Sequence, residues 1–465
     1  MKKTKIACSM GPSSAEVDVF VKMVKAGANI ARINFSHATD EEKEKDVRVV
    51  KETNKQLNTH VAIMYDTKGP DFRTGEVKDG KINLVEGKSI RIVKEDIVGD
   101  ETQITVNYKN ALDSIKVNDI ILLEDGLMKL LVTDKDNNGL TCQIVNGGEL
   151  GNRKGINVPG VNLDVEFLSE QDKNDIIYAC HHDGDFLALS FVSSREDILL
   201  VKKIISENNS NMKIISKIES ATAIENIDEI IEESDGIMVA RGDLGVEVAM
   251  KELPILQKMI IRKCREQGKF CIVATEMLAS MYKNARPTRA EVSDIANAVL
   301  DGADAVMLSG ETTIGKYPVE AVRIMAETAE NTERYLDYNH QITPQKHNSI
   351  MNNIAASVVH VANNLGVDAI LASTLSGKTA RRISILRPNS IILAACTDEK
   401  TALSLAFNFG VYPTLVPVLK STDEIIETAI EASKKELGLK SGDTVVVAGG
   451  FPLSNSTNFM KIEEI

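Results

Sequence analysis

The stretch Lys213-Ile214-Ile215-Ser216-Lys217-Ile218-Glu219 is a short apolar run that ends in charge, and Gly236-Ile237-Met238-Val239-Ala240-Arg241-Gly242-Asp243 repeats the pattern after a helical interval. A buried parallel strand reads this way, apolar along its length and polar where it reaches the rim of a sheet. The same unit recurs at Lys5 to Met10, Asn29 to Phe35, His60 to Thr67, Phe186 to Val192, Phe270 to Met277 and Ala305 to Gly310, which makes eight strands. Amphipathic helical patterns lie between most of them, as in Glu196 to Ile205. Eight such units predict an α/β fold built on a (β/α)8 TIM barrel.

One interval breaks the rhythm. Gly69-Pro70 opens a long stretch with little helical periodicity, and barrel-type patterning resumes only near Leu168. Within it, Lys81 to Leu84, Ser89 to Val93, Gln103 to Val106, Asp119 to Leu123 and Leu140 to Val145 are short and β-rich, with Gly, Asp and Asn between them. They predict an inserted small β-barrel. It springs from the C-terminal end of a strand, where barrel sites are built, so it is positioned to act as a lid. After the eighth strand, helical patterning runs to about Leu336, and the polar stretch Asp337 to His347 reads as a linker. Buried-type strands at Ala369 to Ser373, Ser390 to Cys396 and Thr444 to Ala448 then predict a C-terminal doubly wound α/β domain. The expected division is 1–69 with 166–342 for the barrel, 70–165 for the lid and 343–465 for the last domain.

Composition narrows the class. The chain is 43% apolar and 26% charged, as soluble globular proteins are, and holds no apolar run of spanning length. The basic start, Met1-Lys2-Lys3-Thr4-Lys5, lacks the long apolar core of a signal peptide, so a cytoplasmic location is expected. A net charge of −13 argues against nucleic-acid or anionic-membrane partners. The six cysteines show no close pairing of the kind zinc sites use.

The chemistry gathers at strand ends. Residues two apart share a side, so Lys217 and Glu219 project together at the end of strand five. Asp243 closes strand six among glycines that let a ligand approach the backbone. Two carboxylates suit Mg²⁺, and the lysine suits developing negative charge. A strand-end ion pair would look the same. Arg32, Asn34 and Ser36 share a side at strand two, Asp66 and Thr67 end strand three, and Thr275, Ser309 and Glu311 complete the ring. The alternative for Asn34 and Ser36 is loop capping, and for the hydroxyls a local backbone bond. In the insertion, Arg153-Lys154-Gly155 brings positive charge to a closing lid; a solvated basic pair is the alternative.

These runs resemble the pyruvate kinase family over essentially the whole chain, in a short bacterial-type form without an N-terminal extension. The matching stretches are Thr4-Lys5-Ile6, Ala31-Arg32-Ile33-Asn34-Phe35-Ser36-His37, Asp66-Thr67-Lys68-Gly69-Pro70, Ile215 to Glu219, Met238 to Gly245, Arg286 to Glu291 and Met307 to Thr312. The resemblance implies phosphoryl transfer from phosphoenolpyruvate to ADP, with Mg²⁺ (or Mn²⁺) and K⁺, in a homotetramer. It implies that Glu219 and Asp243 hold Mg²⁺, that Lys217 stabilises the transferring phosphoryl group, and that Ala240, Arg241, Gly242, Asp243 and Thr275 surround the substrate carboxylate. Arg32, Arg73 and Lys154 would meet phosphates, with Asn34, Phe35, Ser36 and His37 near the nucleotide. Asn34, Ser36, Asp66 and Thr67 would carry K⁺, and Ser309 and Glu311 would join a proton relay. Thr374, Ser376, Gly377, Lys378 and Thr379 resemble the family's effector phosphate loop; a capped strand-to-helix turn is the alternative there.

Three positions depart from the family pattern. Asp71 stands where K⁺-requiring members usually have Glu, and its kept charge predicts that K⁺ dependence survives. Glu276 replaces the usual Gln and is expected to shift the pH profile. The tail Gly449 to Asn458 is shorter and poorer in glycine than the usual effector loop. The competing readings are a Mg²⁺-dependent aldolase or lyase acting on a pyruvate enolate, which would lack the phosphate-clamping lid, and a metabolite sensor, which would have lost Lys217 or a metal carboxylate.

Overall fold

The computed structural model describes residues 1–36, 38–338, 349–418, 421–450 and 457–465. Eight parallel strands close into a barrel: β1 (Lys5–Ser9), β2 (Ile30–Asn34), β3 (Ala62–Asp66), β4 (Phe186–Leu189), β5 (Lys213–Ile218), β6 (Gly236–Ala240), β7 (Phe270–Ala274) and β8 (Ala305–Leu308). Neighbours follow chain order, and β8 returns to β1 in the register Lys5↔Ala305 to Cys8↔Leu308. The strands are almost wholly buried because their inner faces fill the barrel and their outer faces meet helices.

The barrel floor is tied by one repeated device. Immediately before each even strand stands an Asn or Asp whose side-chain oxygen accepts the N–H of the second residue in the preceding odd strand. Asn29 takes Ile6 (3.1 Å), Asp185 takes Ile63 (2.8 Å), Asp235 takes Ile214 (3.0 Å) and Asp304 takes Cys271 (2.9 Å). These strand-end N–H groups would otherwise be unpaired in a buried layer. The floor is thereby braced, and the opposite rim is left to carry chemistry.

Between β3 and β4 lies the lid. Six of its strands form one sheet in the order Ile156–Asn157, Ile120–Leu123, Met128–Asp136, Gly139–Asn146, Ser89–Val93, Gln103–Thr105, and Lys81–Leu84 pairs separately with Gly148–Gly151. The sheet curls round its own core, which includes Ile90, Ile92, Leu130, Leu140 and Ile144. The C-terminal sheet runs Val411–Leu415, Ile391–Cys396, Ala369–Thr374, Thr444–Gly449 and Phe459–Glu464, with only the last strand antiparallel. Phe407 of this region enters the barrel floor, where its ring lies 4.8 Å from Phe186 edge-on and 5.1 Å from Phe270 in a stack. Among the described residues no helix is long and apolar enough to cross a membrane.

The strand expectations run past the observed ends. The expected sixth strand reaches Asp243, but β6 stops at Ala240 and Arg241–Glu247 is a helix. Asp243 therefore sits in a first helical turn, not on a strand. His37, most of the expected linker and Phe451 to Ser456 of the expected short tail lie outside the described residues.

Candidate active site

Lys217 is the hub of the rim. Its Nζ lies 2.9 Å from Glu219 Oε1 and 3.2 Å from Asp66 Oδ1, and it donates to Ser190 Oγ at 2.6 Å. On the far side of Asp66, Oδ2 meets Arg32 Nε at 2.7 Å, and an Arg32 terminal nitrogen donates to Ser9 Oγ at 2.8 Å. Strands β1 to β5 thus send one connected network to the barrel mouth. Asp66 and Glu219 side chains are each 1% exposed, so these are desolvated charges whose protonation depends on their neighbours.

The electrostatic consequences differ by residue. Burial raises the Asp66 carboxyl, but Arg32 and Lys217 together outweigh it and hold the group below its ordinary value. Burial lowers the Lys217 ammonium, and the carboxylates of Asp66 and Glu219 reverse that, leaving it above its ordinary value. Burial pushes Glu219 up to about 7, and nearby Asp243 adds to the rise against the pull of Lys217 and the Phe191 N–H. Two cations (Arg32, Lys217) face three carboxylates (Asp66, Glu219, Asp243), a net of one negative charge in a buried rim. Among the described residues Asp243 makes no hydrogen bond or ion pair, so its carboxylate is uncommitted. An excess of hard oxygen donors fits a hard divalent cation that completes its shell with water and substrate oxygens.

The loop after β7 is held in an uncommon backbone state. Thr275 (φ 72°) and Glu276 (φ 55°) are consecutive left-handed residues with side chains. Arg241 fixes them: its guanidinium donates to the Ala274 carbonyl (3.2 Å) and the Thr275 carbonyl (2.7 Å) while pairing with Asp294 (2.7 Å). Thr275 Oγ1 then accepts the Gly242 N–H at 2.8 Å. The guanidinium of Arg241 is spent on the loop, which leaves only its backbone to face a ligand. Glu311, buried after β8, accepts the N–H groups of Leu278 (3.0 Å) and Ser309 (2.8 Å), and so ties the two last rim loops together.

Asn34 and Asp66 are cross-strand partners in the β2–β3 register. Asn34 Oδ1 accepts the Ser36 N–H at 3.0 Å, and Thr67 Oγ1 accepts the Ser190 N–H at 3.1 Å. Phe35 packs inward on Tyr65, with ring centroids 5.0 Å apart. In the lid, Arg73 pairs with Asp71, and Lys154 Nζ lies 2.5 Å from Glu124 Oε1. Both lid cations face a cavity of about 420 Å³ whose opposite wall carries Glu219 and Asp243. Far from this site, Thr374 ends its strand, Gly377 (φ 76°) turns the chain, and Thr379 and Thr457 hydroxyls meet at 2.7 Å beneath the Ser376 and Lys378 turn.

Ser190 and Ser9 were not singled out from the sequence. The signal was present, because each is the polar residue at a strand's C-terminal end, the rule that picked out the other rim groups. Phe191 was not legible: its backbone, at φ 56°, turns its N–H onto Glu219 Oε2 at 2.6 Å, and side-chain chemistry says nothing of that.

Fold and rim together define a (β/α)8-barrel enzyme covered by an inserted lid. Family models for the pyruvate kinase barrel domain and the pyruvate kinase alpha/beta domain match residues 1–322 and 352–463. A pyruvate kinase of Geobacillus stearothermophilus is 43% identical over all of this chain and 80% of its own length, and one of Clostridium acetobutylicum is 42% identical over the whole of both. The crystal structure of a pyruvate kinase from Cryptosporidium parvum superposes with a TM-score of 0.95 at 36% identity, covering 100% of this chain and 96% of that one. The chain belongs to the pyruvate kinase family, glycolytic phosphotransferases that convert phosphoenolpyruvate and ADP to pyruvate and ATP. Metal dependence goes with that membership.

Proposed function

We propose that phosphoryl transfer runs at the mouth formed by Lys217, Glu219 and Asp243, with Mg²⁺ (or Mn²⁺) held by the two carboxylates. The observation that carries this reading is the uncommitted Asp243 carboxylate beside a buried Glu219 whose charge Lys217 alone does not balance. The cation would neutralise charge on the phosphoryl group and substrate carboxylate. Lys217, held in its charged form by Asp66 and Glu219, stabilises the transferring phosphoryl group and the enolate oxygen. Arg32, oriented by Asp66 and Ser9, binds phosphate. Backbone N–H groups of the Ala240 to Asp243 turn and the Thr275 hydroxyl receive the substrate carboxylate. Arg73 and Lys154 approach the nucleotide phosphates from the lid, with Asn34, Phe35, Ser36 and His37 beside the nucleotide.

Oxygens of Asn34, Ser36, Asp66 and Thr67 form the K⁺ set. Ser309 and Glu311 serve the proton relay; the two backbone bonds of Glu311 support a positioning part in it. The Thr374 to Thr379 turn takes the phosphate of an effector. The barrel at 1–69 and 166–342, lid at 70–165 and effector domain at 343–465 act as three units of a cytoplasmic homotetramer. The deciding assay is Mg²⁺- and ADP-dependent pyruvate formation from phosphoenolpyruvate, with Lys217→Met expected to lower kcat on the order of 10²–10³-fold. Unchanged turnover in Lys217→Met would move the chemistry elsewhere.

A further inference from the structure

Among the described residues, lid and barrel share one side-chain hydrogen bond. Asn157 Nδ2 donates to Glu247 Oε1 at 3.0 Å, and among the described residues no other side-chain hydrogen bond or ion pair joins 70–165 to the barrel. Both partners line the cavity between the lid cations and the rim carboxylates. We propose that Asn157 and Glu247 are positioning residues, a latch whose hydrogen bond holds the lid in register over the active site.

Chain geometry gives the bond its leverage. Asn157 lies three residues after Lys154, in a two-residue strand fixed to the lid sheet by the register Ile156↔Leu123 and Asn157↔Leu122. Glu247 ends the helix Arg241–Glu247 and, four residues after Asp243, lies on the same helix face. A shift at the latch therefore moves Lys154 relative to Asp243. The lid turn Glu124 (φ 50°), Asp125 (φ 54°), Gly126 (φ 83°), left-handed throughout, lies beside the same helix: a Cβ added at Gly126 would stand 3.8 Å from Val246 Cγ1. Glu124 of that turn is also the partner of Lys154. Turn and latch thus bear on one short helix. Burial raises the Glu247 carboxyl and the Asn157 bond opposes that rise, as for an acceptor that needs its donor.

This inference rests on the assignment of Lys154 and Asp243 to one reaction site, and the test separates the two. Asn157→Asp replaces the donor with a second carboxylate. It is expected to raise the KM for ADP about tenfold with a smaller change in kcat, the size of a lost hydrogen bond to a charged group. Glu247→Gln keeps an acceptor and should stay near the parent. The pair Asn157→Asp with Glu247→Gln rebuilds the bond with donor and acceptor exchanged, and should recover most of the loss. The chain contains no tryptophan, so Leu127→Trp at the exposed lid tip reports lid position by fluorescence without turnover. Its emission should shift in Asn157→Asp and return in the pair. Asn157→Leu gives the same comparison if Asn157→Asp fails to fold. A parental KM in Asn157→Asp, or a pair no better than that single variant, overturns the latch. An inactive parent would instead overturn the reaction assignment, while the tryptophan signal would still decide the latch.

Discussion

Glu219 is a buried rim carboxyl that pairs with a single cation, Lys217. It is pushed up to about 7 by burial, with Asp243 adding to the rise. A carboxyl must lose its proton before it binds a cation, so below its raised value each pH unit costs about tenfold in apparent affinity. Calorimetric titration of Mg²⁺ should therefore show affinity falling about tenfold per unit below pH 7 and levelling off above it. Glu219→Gln should abolish that slope together with tight binding. Asp71 raises a separate question of charge. It pairs with Arg73 in the lid, so its negative charge balances a cation that lines the cavity. K⁺ dependence is expected to persist, and equal turnover with a large organic cation as sole counter-ion would refute it. Glu276 is exposed, and with Glu311 it raises the Tyr282 hydroxyl, after burial. Comparing the pH–rate profile of Glu276→Gln with the parent shows how far that extra carboxylate reaches.

At the scale of elements, the loops after β6 and β7 work as one piece because Arg241 spans them. Its guanidinium serves two carbonyls and Asp294 at once, which a lysine ammonium at the end of a flexible stem does not reproduce. Arg241→Lys should therefore loosen Thr275 and Gly242 and raise the KM for phosphoenolpyruvate about tenfold, with the fold intact by circular dichroism. The elements that sequence reading found are those with a clean period. All eight barrel strands were legible because a strand buried on both faces is a continuous apolar run. Their ends were not, since the polar rim residues Arg241 to Asp243 already belong to a helix. In the lid, Met128–Asp136 was missed because Leu127 and Leu131 break its alternation of Met128, Leu130 and Val132. Val411–Leu415 was missed because Pro413 argues against a central strand, and it proves to be an edge strand, where proline is tolerated. The charged rim residues and the hydroxyls of Ser36, Thr67, Thr275 and Ser309 were picked out from the sequence, whereas Ser9 and Ser190 were not, because a serine at a strand end has many ordinary reasons to be there.

At the scale of the whole molecule, the C-terminal domain docks on the braced floor, opposite the chemistry. The first strand is gripped on the way in: Glu333 accepts the N–H groups of Lys3 (2.7 Å) and Thr4 (2.6 Å), and Gly410 donates to the Lys3 carbonyl at 2.9 Å. Phe407 fills the floor between Phe186 and Phe270, and Phe407→Ala should cost about 3–5 kcal/mol in urea unfolding through the cavity it leaves. The charged counterpart is Arg387, which reaches from the C-terminal domain to Asp304 at 2.9 Å and to the Gly302 carbonyl at 2.7 Å. Asp304 is also the floor brace that holds Cys271, so one carboxylate joins the barrel to itself and to its neighbour. Burial raises the Asp304 carboxyl and lowers the Arg387 guanidinium, and each group opposes the shift of the other. A buried pair of this kind contributes little net stability over an apolar pair, but breaking it strands a charge. Arg387→Met should therefore destabilise by about 3–5 kcal/mol, with the C-terminal domain releasing in an earlier transition. Adding Asp304→Asn removes the stranded charge while the amide oxygen still accepts the Cys271 N–H, and should recover most of that loss. Unfolding followed at both domains decides the matter: if the double variant unfolds as early as Arg387→Met, the pair is not what couples the domains, and the Phe407 contact carries the docking instead.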